Sequence, residues 1–233
     1  MKIHSLKLLP FLLIPVFLWS CTEFFSTSWA PWAARGSSGL IPNVTSGNVE
    51  ELIEMTADDP DLSMDLLRKI KEAAEGASGQ EKADLQAAAV EAAVNAIGLG
   101  QTILNAVTDL GDIINDPAKA TDAAKEAIDN MPNLDEASTA LLDTLPPVGS
   151  TEFDDFVNTA SAEELAMAAI ILFAEDAKSS GKDIDDYITD FGIAPPGTPE
   201  VGLALALVTA IGTKPTEDLP DSLKSILEGL NLK

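Results

Sequence analysis

The stretch SAEELAMAAIILFAEDAKS, residues 161–179, decides the fold of this chain. Ser161 with Glu164 three residues on forms the cap-x-x-Glu arrangement, in which two side chains satisfy the orphan backbone amides of a first helical turn. From Leu165 to Ala174 the residues are apolar at every helical angle. A helix without a polar side has to be enclosed by others. The reading is therefore a helix over 162–179 at the buried centre of an all-α domain.

Outward from it the chain is punctuated by further helix starts. Asn48 with Glu51, Ser78 with Glu81 and Asn133 with Glu136 repeat the cap-x-x-Glu spacing, while Asp59-Pro60, Asp116-Pro117 and Thr198-Pro199 place proline at a first helical position behind a capping side chain. The predicted helices are 48–57, 60–76, 79–97, 101–115, 117–131, 134–145, 151–159, 162–179, 183–191, 199–212 and 219–231. Apolar residues inside them recur at helical spacing, as in Leu66, Leu67 and Ile70, or Ile103, Leu104, Val107 and Leu110. Val201, Leu203, Leu205 and Leu207 alternate as in a strand, but the intervening alanines favour helix and no second strand offers a partner. Ala87-Ala88-Ala89 and Ala92-Ala93 make the third helix thin, so neighbours can approach closely, as in stacked helical hairpins. The expected architecture is a multi-helix array or irregular bundle, compatible with a helical repeat.

The chain begins differently. Lys2 and Lys7 precede an apolar run, Leu8 to Trp19, too short to span a bilayer and followed by Ser20 and Cys21. Residues 1–20 read as a signal peptide. Leu18-Trp19-Ser20-Cys21 resembles the lipobox of bacterial lipoproteins, with Trp19 a departure from the small or aliphatic residue usual there. The resemblance implies that Cys21 becomes the acylated first residue, and Thr22 in place of Asp implies sorting to the outer membrane. Cys21 is the only cysteine, so no disulfide competes for it. Residues 21–47 read as a flexible, lipidated tether in which Phe24, Phe25, Trp29 and Trp32 are candidates for the membrane interface. Residues 48–233 read as a single all-α domain.

Composition removes most chemistry. The chain of 233 residues carries 38 acidic and 14 basic residues, a net charge of −24, and one histidine, His4. Loss of the leader takes Lys2, Lys7 and His4 with it, so neither Ser-His-Asp or Cys-His catalysis nor an imidazole zinc site is available. An acidic excess of this size repels nucleic acid and anionic head groups, and only Arg35 and Arg68 can make bidentate contacts with phosphate.

Individual motifs fail on inspection. Asp183, Asp185, Asp186 and Asp190, like Asp59, Asp61 and Asp65, tempt a calcium reading, but the sixth loop positions are Ile188 and Met64 where glycine is needed. The acidic row on 183–190 is expected to be a solvated face. Ser179-Ser180-Gly181-Lys182 has the Ser-x-x-Lys spacing of penicillin-recognising enzymes but ends a helix at a glycine, so it reads as a cap. Gly98-Leu99-Gly100 lacks the third glycine of a dinucleotide loop. Phe153, Phe156, Phe173, Phe191 and Tyr187 sit at core spacing rather than as a sugar platform.

Asp58-Asp59-Pro60-Asp61-Leu62, then Asp65, Leu67 and an alanine-rich helix, resemble the opening repeat of the tetratricopeptide-like helical lipoprotein subunit associated with tripartite ATP-independent periplasmic transporters. The resemblance covers about 35 residues. It implies a superhelical fold and a substrate-binding protein as partner, though the family's Trp, Tyr and Arg richness is missing downstream. The combined expectation is a non-catalytic helical lipoprotein, anchored to a bacterial membrane by its lipid and binding an envelope protein or serving a structural role. The alternative is a small-molecule-binding lipoprotein serving a transporter. No metal or other cofactor is expected, and no nucleic acid.

Overall fold

The structure, a computed structural model, describes residues 41–99 and 125–214. Within these, residues from Asn43 onward form one compact unit. Its helices are α1 (Val49–Thr56), α2 (Pro60–Gly76), α3 (Gly79–Ala96), α4 (Leu134–Thr144), α5 (Thr151–Thr159), α6 (Ala162–Ser180), α7 (Ile184–Ile193) and α8 (Pro199–Ile211). A further helical stretch covers 125–129, and no strand occurs among the described residues. The fold is all-α, a multi-helix array. The alternating segment 201–207 is helical, within α8. The helices expected over 101–115 and 219–231, most of that over 117–131 and the Asp116-Pro117 cap lie outside the described residues.

The caps follow the sequence only in part. At α6 both halves of the capping box form: Glu164 N–H donates to Ser161 Oγ at 3.1 Å, and Ser161 N–H donates to the Glu164 carboxylate. Asp59 Oδ1 accepts from the amides of Asp61 and Leu62 at 3.1 Å each, with Pro60 at the first position. The other three cap-x-x-Glu sites do not form side-chain caps. Asn48 turns its amide backwards instead, accepting from Thr45 N–H at 2.8 Å and donating to the Asn43 carbonyl at 2.9 Å. Asn133 adopts a left-handed backbone, φ 53°, which asparagine tolerates, and donates to the Ala96 carbonyl at 3.2 Å. A cap without the spacing appears at Ser150, whose Oγ accepts from Phe153 N–H at 3.1 Å.

Two helices organise the packing. α3 touches α1, α2, α4, α5 and α6, while α6 touches α3, α4, α7 and α8. The buried face of α3 is mostly alanine, with Ala83, Ala87, Ala88, Ala89, Ala92, Ala93 and Ala96 all buried around Leu85 and Val90. Small side chains let the α2 backbone come close, so Leu66, Leu67 and Ile70 of α2 are fully enclosed. On α6, Leu165, Ala166, Ala168, Ala169, Ile171 and Leu172 are shut away from solvent; Met167 and Ile170 keep partial access.

Charged pairs tie the elements at the surface. Arg68 of α2 spans Asp65 and Glu136, joining α2 to α4. Lys71 pairs with Asp143 at 2.6 Å and Lys82 with Glu152 at 2.9 Å. Beneath these two pairs the buried Gln86 donates to the Thr144 carbonyl at 2.9 Å. The exposed pairs contribute little each, about 0–1 kcal/mol, so hydrophobic burial dominates the stability of the unit.

Leu172, with no exposed surface, tests that balance. Leu172→Ala should cost about 2–5 kcal/mol, because the methylenes removed leave a cavity that rigid neighbours only partly fill. Urea denaturation should show the midpoint falling with little change in slope. Asp186→Ala, on the exposed side of α7, should change stability by less than about 0.5 kcal/mol.

Candidate functional site

Cys21, Phe24, Phe25, Trp29 and Trp32 lie outside the described residues, so candidate sites in the helical unit have to be built from its own geometry. The acidic row of α7 is what its sequence suggested. Asp183, Asp186 and Asp190 are exposed; Asp183 pairs with Lys125 at 3.1 Å and Asp190 with Lys182 at 2.6 Å. Among the described residues no cluster of three acidic, His or Cys side chains has metal-binding geometry. Ser179-Ser180-Gly181-Lys182 is a helix end: Gly181 takes φ 64°, Ser180 Oγ donates to the Ala177 carbonyl at 2.7 Å, and Ser179 donates to Glu175. The core-spaced aromatics are all buried, with Phe173 and Phe191 edge-to-face at 5.3 Å.

One polar centre escaped the sequence reading. Asp176 of α6 is only 8% exposed, yet both carboxylate oxygens are satisfied. Tyr187 Oη of α7 donates to Oδ2 at 2.7 Å, and Thr198 Oγ1, ahead of α8, donates to Oδ1 at 2.6 Å. Thr198 Oγ1 also accepts from Val201 N–H at 3.3 Å, so the hydroxyl caps α8 and binds α6 together. Burying a carboxylate is costly unless donors replace its water. Two hydroxyls do that here. Burial of the Tyr187 phenol, then its hydrogen bond to Asp176 and the nearby negative charge, push its pKa well above the usual value of about 10. A neutral phenol held by a carboxylate joins helices; it is not poised for proton transfer near neutral pH.

Among the described residues, three surface depressions stand out. The first, between α2, α3 and the end of α4, is crossed by the Lys71–Asp143 and Lys82–Glu152 pairs. The second lies between α3 and the start of α6 and gathers Glu91, Glu163 and Glu164. There the surrounding protein, ahead of the repulsion from Glu164, Glu50 and Glu163, raises the Glu91 pKa even though the residue still meets solvent. The third is lined mainly by apolar side chains, a groove of about 470 Å³. One wall is Leu142, Leu145, Pro146, Pro147 and Val148; the other is Pro199, Gly202 and Leu203 of α8. Val148 is 55% exposed at its edge.

No family profile, curated protein or solved structure matches the chain.

Tyr187 is the only tyrosine of the chain, so phenolate absorbance reports it alone. Because the folded state favours the neutral form, its contribution to stability is complete below the ordinary value of about 10 and is lost as pH rises beyond it. Near-ultraviolet titration should find no phenolate in the folded protein at pH values where the urea-unfolded chain is half ionised. Coincident titration curves would mean the Asp176 contact does not form.

Proposed function

We propose that this protein is a non-catalytic helical lipoprotein of the bacterial envelope, held to the membrane, most simply the outer membrane, by acylation at Cys21, and that its helical unit binds a partner protein. The observation that carries the reading is Leu18-Trp19-Ser20-Cys21 at the end of a short basic-apolar leader, with Cys21 the only thiol. The chemistry of the helical unit supports it. Past the leader the chain holds no histidine and no second cysteine, and the buried polar centre at Asp176 is consumed by hydrogen bonds between helices. The third depression is open and apolar rather than an enclosed cavity, which suits a partner surface better than a small ligand.

Cys21→Ser should move the protein from the membrane to the soluble fraction and abolish labelling by a metabolically supplied fatty acid. Equal labelling of parent and variant would overturn the anchor. Partner binding has its own test in the native cell: photo-crosslinking residues at Met55, Val148 and Ile193, which are 71%, 55% and 80% exposed. A discrete adduct from at least one position is expected, and none from all three would count against a partner.

A further inference from the structure

We propose that the apolar groove between Pro146–Val148 and the first two turns of α8 docks a cationic amphipathic segment of a partner protein. The inference rests on the partner-binding reading above and supplies its site and chemistry.

Two independent features of the groove point this way. The first is Gly202. It lies inside α8, at the groove, with ordinary helical neighbours, where glycine weakens a helix relative to alanine. No close approach demands it, because a Cβ added there meets nothing within 4 Å. What a side chain at 202 would occupy is the open space beside Leu203 and Val148. Glycine thus keeps an apolar channel clear at a cost in helix stability. Pro147, Val148 and Pro199 around it are likewise exposed and apolar.

The second feature is charge. Residues 126–177 and 183–213, which include all the elements forming the groove, hold no lysine or arginine. The same elements carry Asp143, Glu152, Asp154, Asp155 and Glu200 within a few residues of the groove walls. Asp143 and Glu152 are neutralised by Lys71 and Lys82 in the neighbouring depression. Asp154, Asp155 and Glu200 enter no ion pair among the described residues. An apolar channel whose own segments carry acids and no lysine or arginine favours a ligand with an apolar stripe to bury and positive charges beside it, and the field of a −24 chain steers such a ligand inward. Helix-in-groove docking has this form. An acidic partner would meet repulsion from the same field.

The test uses the full-length acylated protein in detergent and a fluorescein-labelled amphipathic helix of Leu and Lys, with Leu/Glu and Ala/Lys versions of the same length as controls. Fluorescence anisotropy at physiological salt should show saturable binding of the Leu/Lys probe, at least about tenfold weaker for either control. Gly202→Gln fills the channel and Val148→Lys adds a repelling charge; each should weaken the Leu/Lys probe about tenfold or more. Gly202→Gln should at the same time leave the melting temperature unchanged or raised, which separates a blocked groove from a damaged fold. Equal binding of the Ala/Lys probe would reduce the effect to diffuse attraction and overturn the proposal, as would unchanged binding by both variants or no binding by the parent. Self-association lost in Gly202→Gln would assign the groove to a second copy, and a synthetic peptide of residues 215–233 that displaces the probe would assign it to this chain's own C-terminus; either overturns it. Crosslinks in cells from Met55 or Ile193 but not from Val148 would remove the groove and leave partner binding standing.

Discussion

Between Leu165 and Ala174, α6 is apolar at every helical angle, and burying most of that stretch under neighbouring helices is the constraint on which the rest of the unit depends. α3, α4, α7 and α8 take up positions around it. The alanine face of α3 lets backbones come close on one side, while Val201, Leu203, Leu207 and Ile211 of α8 supply larger side chains on another, and Leu172 and Ile171 are left with no exposed surface. The same logic holds at α2 and α3, where alanines on one helix accept Leu66, Leu67 and Ile70 from the other. Small-on-large packing of this kind allows a dense interior in a chain with few aromatic residues.

Polar contacts give the enclosure its register. Asp176 is met by one hydroxyl from α7 and one from the cap of α8, so both elements must be held where their donors reach its two oxygens. α7 depends on this more than the others, because its buried side chains Tyr187 and Phe191 carry much of its attachment to α6. A hydrophobic residue at 176 would fill the same space without that directional requirement. Setting the register of packing, rather than adding net stability, is the role best attested for a buried polar group such as Asp176.

Among the described residues, several cations are engaged in pairs between helices, which shapes the outside. Arg68, Lys71 and Lys82 each bridge from α2 or α3 to α4 or α5. With those charges engaged, the surface around α5 and α8 carries the acidic excess, and the apolar groove opens within it. The contrast between the first and third depressions, adjacent and sharing Leu145, Pro146 and Pro147, is a contrast between a cleft closed by salt bridges and one left clear by Gly202.

Much of this architecture was legible in the residues themselves, because helix formation here is governed by local rules. The apolar run 165–174, the Ser161–Glu164 box and proline behind Asp59 and Thr198 placed helix types and ends within a few residues, since periodicity and capping act over one or two turns. The same local rules put Asn48, Ser78 and Asn133 at the correct helix starts but wrongly placed their side chains on the first-turn amides. At 48 and 133 the side chain bonds outside its own helix instead, at 48 to the local turn at Asn43 and at 133 to the Ala96 carbonyl that only packing brings near. The Asp176 centre was invisible for the related reason that residues 176, 187 and 198 become neighbours only when three helices pack. The groove was equally hidden, since Pro146–Val148 and Gly202 share a surface only in the tertiary structure. The proposed leader and acylation at Cys21, like the charge balance, rest on the chain's order and composition and needed no fold to be read. Which helices meet, which acid is buried and where an apolar channel stays open depend on distances between segments far apart in sequence, and only packing sets those.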